Sequence, residues 1–238
     1  DNDGIFYVTN TNDTGAGSLR QAITDANGAA GPNLVYFNIP GPGPHTITAS
    51  TEMLVTGQIT IDGTTQPGAS CNAWPPTLQV ELVRVGGSGG IINLAASNST
   101  VRGLAFKTFN AGLQLSGNNI SVKCNYFGLD AAGTAEFGGS NGILVNGTSG
   151  GRIGGPLPTD RNVFSSNASG IRWQAATTGY IVENNYFGTD AAGLVDFGNT
   201  SFALDSRAGS NGTQILNNLF AGNDSAAIQI VDQTTTGN

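Results

Sequence analysis

The chain has 238 residues, 11% of them charged and 36 of them glycine, with a formal net charge of −7. Its nine Lys and Arg residues are scattered singly, which excludes the clustered cations that nucleic-acid phosphates demand. No apolar run approaches the roughly 18 residues of a membrane-spanning helix, and β-branched and aromatic residues recur too regularly for a disordered chain.

At the N-terminus, DNDG at Asp1 opens like a calcium loop but has no Glu twelve positions on, so no metal site is expected there. The segment GAGSLRQAITDANG is the one convincing helix, about residues 18–27. Leu19, Ala22, Ile23 and Ala26 share a face, Ser18 can cap the start and Gly28 can end it. The strands LVYFNIP, HTITAS and QITIDGTTQPG follow. His45, between Pro44 and the TIT strand, reads as a solvated turn residue.

Cys71 and Cys124 are the two cysteines, and His45 is the one histidine; together they are too few for a zinc site. They are either two buried thiols or one disulfide. The low-charge, Asn- and Thr-rich composition looks extracellular and favours the bridge. The Gly- and Pro-rich loop TTQPGASCNAWPPT is free to fold back along the chain, and its Trp74 is a candidate exposed aromatic that contacts a ligand.

Beyond residue 90, two families of short strands alternate. One comprises IINLA at Ile91, AGLQLS at Ala111, NGILVN at Asn141, SGIRWQ at Ser169, SFALDS at Ser201 and AAIQIV at Ala226. The other ends on Phe106, Phe127, Phe164, Phe187 and Phe220, with Asn125, Asn162, Asn185 and Asn218 two residues before the last four. Short, evenly spaced strands separated by Gly and Asn predict an all-β fold, a right-handed parallel β-helix in which equivalent residues stack one rung apart. The phenylalanines then form one inward column. Leu113, Ile143, Ile171, Phe202 and Ile228 form another, and the four asparagines a ladder at a corner. A solenoid exposes its first rung, so the helix is expected to cap it. One domain spans 1–238: a cap over 1–33 and coils over 34–238. The phrases NYFGLDAAGTAEFG at Asn125 and NYFGTDAAGLVDFG at Asn185 read as two rungs built to one plan.

The segment VTNTNDTGAGSLRQAITDANGAAGPNLVYFNIP followed by ITIDGTTQPGA resembles the N-terminal segment of large bacterial secreted or surface β-helix proteins, named for a Cys-Ser-Leu-Arg-Glu-Ala signature. Ser18, Leu19, Arg20 and Ala22 match; Gly17 stands for the Cys and Gln21 for the Glu. The NYFGTDAAG phrases are similar to repeats of the same group. The resemblance implies a secreted or cell-surface location and the N-terminal part of a longer chain.

Polysaccharide lyases and hydrolases also use β-helices, so fold alone leaves function open. Their chemistry needs clustered carboxylates and bases. One expected outward column, Gln114, Leu144, Arg172, Ala203 and Gln229, holds no acid. The other, Arg102, Lys123, Asp160, Glu183 and Leu216, reads as a surface ion ladder. Three G-x-S-x-G strings and eight N-x-S/T sequons, Asn167, Asn199 and Asn223 among them, reflect composition. The reading is a structural or adhesive module without cofactor, with polysaccharide or a surface protein as partner and Trp74 and Arg172 as ligand contacts. The alternative is a polysaccharide-active enzyme built on the loop carboxylates Asp130, Glu136, Asp190 and Asp196, with Asp130 and Asp190 about 10 Å apart on a two-rung spacing.

Overall fold

The computed structural model describes residues 4–84, 86–231 and 237. The described strands form three parallel sheets of eight, seven and seven strands. A typical coil runs from Thr100–Arg102 in the first sheet to Ala105–Lys107 in the third and Ala111–Leu115 in the second. Each strand pairs in parallel with its counterpart one coil on. This is a right-handed parallel β-helix with one short helix. Strands as short as Tyr126–Phe127 suffice, because the stack of coils supplies the partners that no single coil could.

The phenylalanine column is continuous. Phe106, Phe127, Phe164, Phe187 and Phe220 stack with centroids 4.7, 4.8, 4.9 and 5.1 Å apart, the rung spacing of a parallel sheet. The second column differs at one place from the sequence expectation. Ile171 pairs with Leu204, not Phe202, and Leu204 is fully buried. Phe202 sits two residues earlier, opposite Ser169 and Ala226. SFALDS offers apolar residues at both positions, and the preceding loop is long enough to absorb the offset.

The corners explain the asparagines. Asn125 Nδ2 donates to Asn162 Oδ1 at 3.1 Å, Asn162 to Asn185 at 2.9 Å and Asn185 to Asn218 at 3.1 Å. Each amide also reaches a carbonyl of the preceding coil: Val101, Val122, Ile153 and Val182. Just before the ladder, Cys124, Asn184 and Asn217 adopt left-handed backbone, as Gly103 does one coil earlier. That conformation turns the chain sharply, and Asn tolerates it better than most residues. A second ladder, absent from the sequence reading, stands at the corner that leads to the second sheet. There Asn167 N donates to Asn199 Oδ1 and Asn199 Nδ2 to Asn223 Oδ1.

The helix, Leu19–Gly28, buries the four expected residues, and Ser18 Oγ accepts from Gln21 N at 3.1 Å. Gly28 is its last residue, with Ala29 as the cap. It packs on the strands Ile5–Val8, Asn33–Phe37 and Met53–Val55. Arg20 donates to the carbonyls of Thr51 and Glu52, and Asn27 to that of Leu54. The edge of the second sheet is thus closed to further pairing.

The outer face of the third sheet carries a second small core of Leu78, Tyr126, Leu129, Ala131, Val163 and Ala191. The two repeated excursions build it. Each closes a short antiparallel bridge, Leu129 with Glu136 and Thr189 with Asp196, and Ala191 N donates to Gly133 O across the pair. The loop bearing Cys71 folds back onto the same face, and a Cys71–Cys124 disulfide fastens it there.

Candidate functional site

The outward face of the second sheet runs Asn93, Gln114, Leu144, Arg172, Asp205 and Gln229. Asp205 holds the position expected for Ala203, a consequence of the same register offset, so this column does contain an acid. Its carboxylate is buried between Arg207, at 2.8 Å, and Arg172, at 3.6 Å. Arg172 therefore sits in an ion cluster on the second sheet. Trp74, by contrast, lies over the third sheet, packed against the small outer core. It is half-buried there and meets Tyr126 and Tyr186 edge-on, with centroids 6.2 and 5.9 Å away. The Arg161 guanidinium covers it 4.8 Å from the ring centroid and lies 3.9 Å from that of Tyr186. The indole Nε1 is enclosed. Trp74 and Arg172 thus stand on different faces and do not form one site.

The outward face of the first sheet carries a run of charged residues. Asp62, Arg102, Lys123, Gly154 and Glu183 occupy successive coils; Gly154, not Asp160, holds the fourth place. Asp160 reaches Lys123 from a short 3₁₀ turn, Pro158–Asp160, at 3.3 Å. Asp62 pairs with Arg102 at 3.1 Å, and Glu183 with Arg152. Half-exposed pairs of this kind contribute about 0–1 kcal/mol each.

Between the disulfide and this ladder lies a pocket of about 150 Å³, lined by Asn72, Arg102, Lys123, Thr159, Asp160 and the Cys71–Cys124 bridge. Arg102 and Lys123 are register partners on adjacent strands, so their stems rise side by side, about 4.8 Å apart at the backbone. Arg102 donates from Nη2 to Thr64 Oγ1 at 3.0 Å. Cys124 N donates to Asp160 O, which holds the 3₁₀ turn against the corner. Further along the same face, Ser121, Arg152, Gly150, Gly151 and Gly179 line a shallow groove of about 350 Å³.

The loop carboxylates Asp130 and Asp190 are engaged by their own loops, and Glu136 accepts from Ser166 Oγ of another coil. Asp130 Oδ1 accepts from Thr134 N and Ala135 N, and Asp190 Oδ1 from Leu194 N and Val195 N. Burial pushes the Tyr126 phenol up, and the charges of Asp130 and Asp190 push it further. On the same sheet Glu81 accepts from Thr46 Oγ1, Lys107 Nζ and Ala131 N. Burial works to raise its carboxyl, but these bonds outweigh it and hold Glu81 below the ordinary range. His45 begins a strand and has an enclosed Nε2, rather than the solvated turn position expected. Of the DNDG run, Asp1, Asn2 and Asp3 lie outside the described residues. Among the described residues no group of three or more His, Cys, Asp or Glu side chains could hold a metal ion, and no helix is long and apolar enough to cross a membrane.

The pocket was only half visible in the sequence. Lys123 and Asp160 share a charge column there, but nothing local says that the Cys71 loop closes the other side. No protein-family model matches the chain, and no curated protein matches it.

Proposed function

We propose that the chain is a structural and adhesive module of a secreted or cell-surface bacterial protein, the capped head of a longer solenoid whose long faces hold a polysaccharide or another surface protein. The observation that carries this reading is the rod itself: three parallel sheets of eight, seven and seven described strands present long, regular outer faces, and the helix covers the edge of the second sheet on the N-terminal side. Stacked coils of this kind build extended binding surfaces. The disulfide agrees with an oxidising compartment, and the CSLREA-like segment supports the bacterial surface assignment.

Engagement of the carboxylates argues against polysaccharide cleavage. Asp62, Asp160, Glu183 and Asp205 are ion-paired, and Asp130 and Asp190 accept backbone N–H groups. General acid–base work needs a carboxyl free to exchange its proton with substrate. Incubation with pectin, alginate, chondroitin and xylan, read for new reducing ends and unsaturated products, is expected to show no turnover. Turnover lost in Asp130→Asn or Asp190→Asn would overturn the proposal in favour of an enzyme.

A further inference from the structure

Resting on that adhesive reading, we infer that the pocket beside the disulfide binds a single monoanionic sugar unit, with Arg102 and Lys123 holding its acidic group. The argument begins with donors and acceptors. A lysine ammonium has three N–H donors and a guanidinium five. Lys123 is ion-paired with Asp160; Arg102 is ion-paired through Nε with Asp62, without a hydrogen bond from that nitrogen, and donates from Nη2 to Thr64. Among the described residues, two ammonium N–H groups of Lys123 and the Nη1 end of Arg102 therefore lack acceptors. Both side chains are 34% exposed, so these donors are accessible to a ligand. The lining is rich in donors, and what fits it must bring acceptors.

Charge and size narrow the class. A carboxylate or sulfate ester spans two adjacent donors and makes charge-assisted bonds, about twice as strong as neutral ones. Asn72 and Thr159 add polar groups that suit ring hydroxyls, and the disulfide offers an apolar wall to a C–H face. The volume of about 150 Å³ suits one pyranose ring, not a base with its sugar. Asp160 in the wall and the chain's net charge of −7 oppose a dense polyanion. The ligand is thus an isolated acidic residue on a largely neutral glycan, and the groove along the same face leaves room for its neighbours.

The test is titration of the intact, oxidised chain with methyl glucuronide, methyl galacturonide, a methyl glucoside sulfate ester, and neutral methyl glucoside and galactoside. Expected is saturable binding of an acidic probe, at least tenfold tighter than its neutral counterpart. Lys123→Gln and Arg102→Gln should each weaken it at least fivefold, with thermal melts confirming the fold. Asp160→Asn should tighten it, because a repelling charge leaves the wall. Arg207→Gln, beside the second sheet and outside both the pocket and the groove, should leave it unchanged. The carboxylate and sulfate arms identify which acid is preferred. Equal binding of acidic and neutral probes, no binding of any acidic probe at millimolar concentration, or acidic binding indifferent to both cation variants overturns the inference. Binding of neutral oligosaccharides alone would overturn it while leaving the adhesive reading intact; turnover would overturn that reading instead.

Discussion

The two ends of the rod are built from the same kind of coil and finished differently. At the helical end, the sequence leaves its period: Leu19, Ala22, Ile23 and Ala26 cover the first coils, and Arg20 and Asn27 occupy the carbonyls beside the edge strand. At the other end the period continues to the last described strand, Ala226–Ile230, and inward residues such as Ile228 become exposed. A repeat can specify a coil but not a boundary, because every coil assumes a neighbour. Closing a solenoid takes residues that break the pattern.

The phenylalanine column gives the strongest test of this difference. Phe164 is fully buried between Phe127 and Phe187, whereas Phe220 is half-buried with one ring neighbour in the column. Phe164→Ala should cost about 3–5 kcal/mol, as large-to-small changes in a tight core do. Phe220→Ala should cost about 1 kcal/mol, since little burial is lost. Denaturant melts of both variants measure the contrast. Equal losses would break the comparison by showing that the last coil is covered in solution.

The disulfide sharpens it from the side. Cys71 and Cys124 are 53 positions apart, so replacing both with Ser should cost about 4 kcal/mol by the chain-entropy model. The Trp74 loop should loosen with it, seen as a red-shifted tryptophan emission and faster hydrogen exchange over residues 66–79. Two alkylatable thiols in the native, unreduced chain would exclude the bridge.

The Asn ladder repeats the contrast in hydrogen bonds. Asn185 is fully buried; its Oδ1 accepts from Asn162 N and Nδ2, and its amide donates to Ile153 O and Asn218 Oδ1. Asn185→Ala strands these groups without water and should cost about 2–3 kcal/mol. Asn218 is half-buried on the last coil, where water can substitute, so Asn218→Ala should cost about 1 kcal/mol or less. Thermal melts of the two variants, compared with wild type, decide it; equal costs would contradict the open end.

The column, the helix and the first ladder were legible in the sequence because each repeats at fixed offsets: Phe two residues after Asn, or Leu19 and Ala22 to Ile23 and Ala26 along one helical face. The second ladder was hidden. Asn167 and Asn223 follow their phenylalanines by three residues, but the DAAG excursion separates Asn199 from Phe187, and all three read as sequons. The register at Leu204 was hidden because SFALDS offers apolar residues at both 202 and 204, and with it Asp205 was concealed. The pocket was hidden for a different reason: its walls come from the Cys71 loop, two strands and a 3₁₀ turn, and only long-range folding brings them together.

The smallest expected effect is the response to acid, and it also separates the ends. Among the described residues, two carboxyls are held below their ordinary values, Asp13 and Glu81, both in the capped half of the rod. At Asp13 burial works upward, but hydrogen bonds from Ser50 and Arg20 outweigh it; at Glu81 those from Lys107, Ala131 and Thr46 do the same. A lowered folded-state value means that the ionised form stabilises the fold. That stability is complete above the unfolded values, 3.8 for Asp and 4.5 for Glu, and fades as pH falls through the lower folded values. Acid should therefore loosen the capped half first. Hydrogen exchange followed stepwise from about pH 6 downward, through the unfolded values and below them, should show protection falling near Ser50 and Ala131 before it falls around Asn185, whose ladder carries no titrating group. Glu81→Gln should flatten the fall in melting temperature across the same window, because the variant has no proton to take up at that site. An unchanged pH dependence in the variant, or earlier loss at Asn185, would place the acid-sensitive contacts elsewhere in the rod.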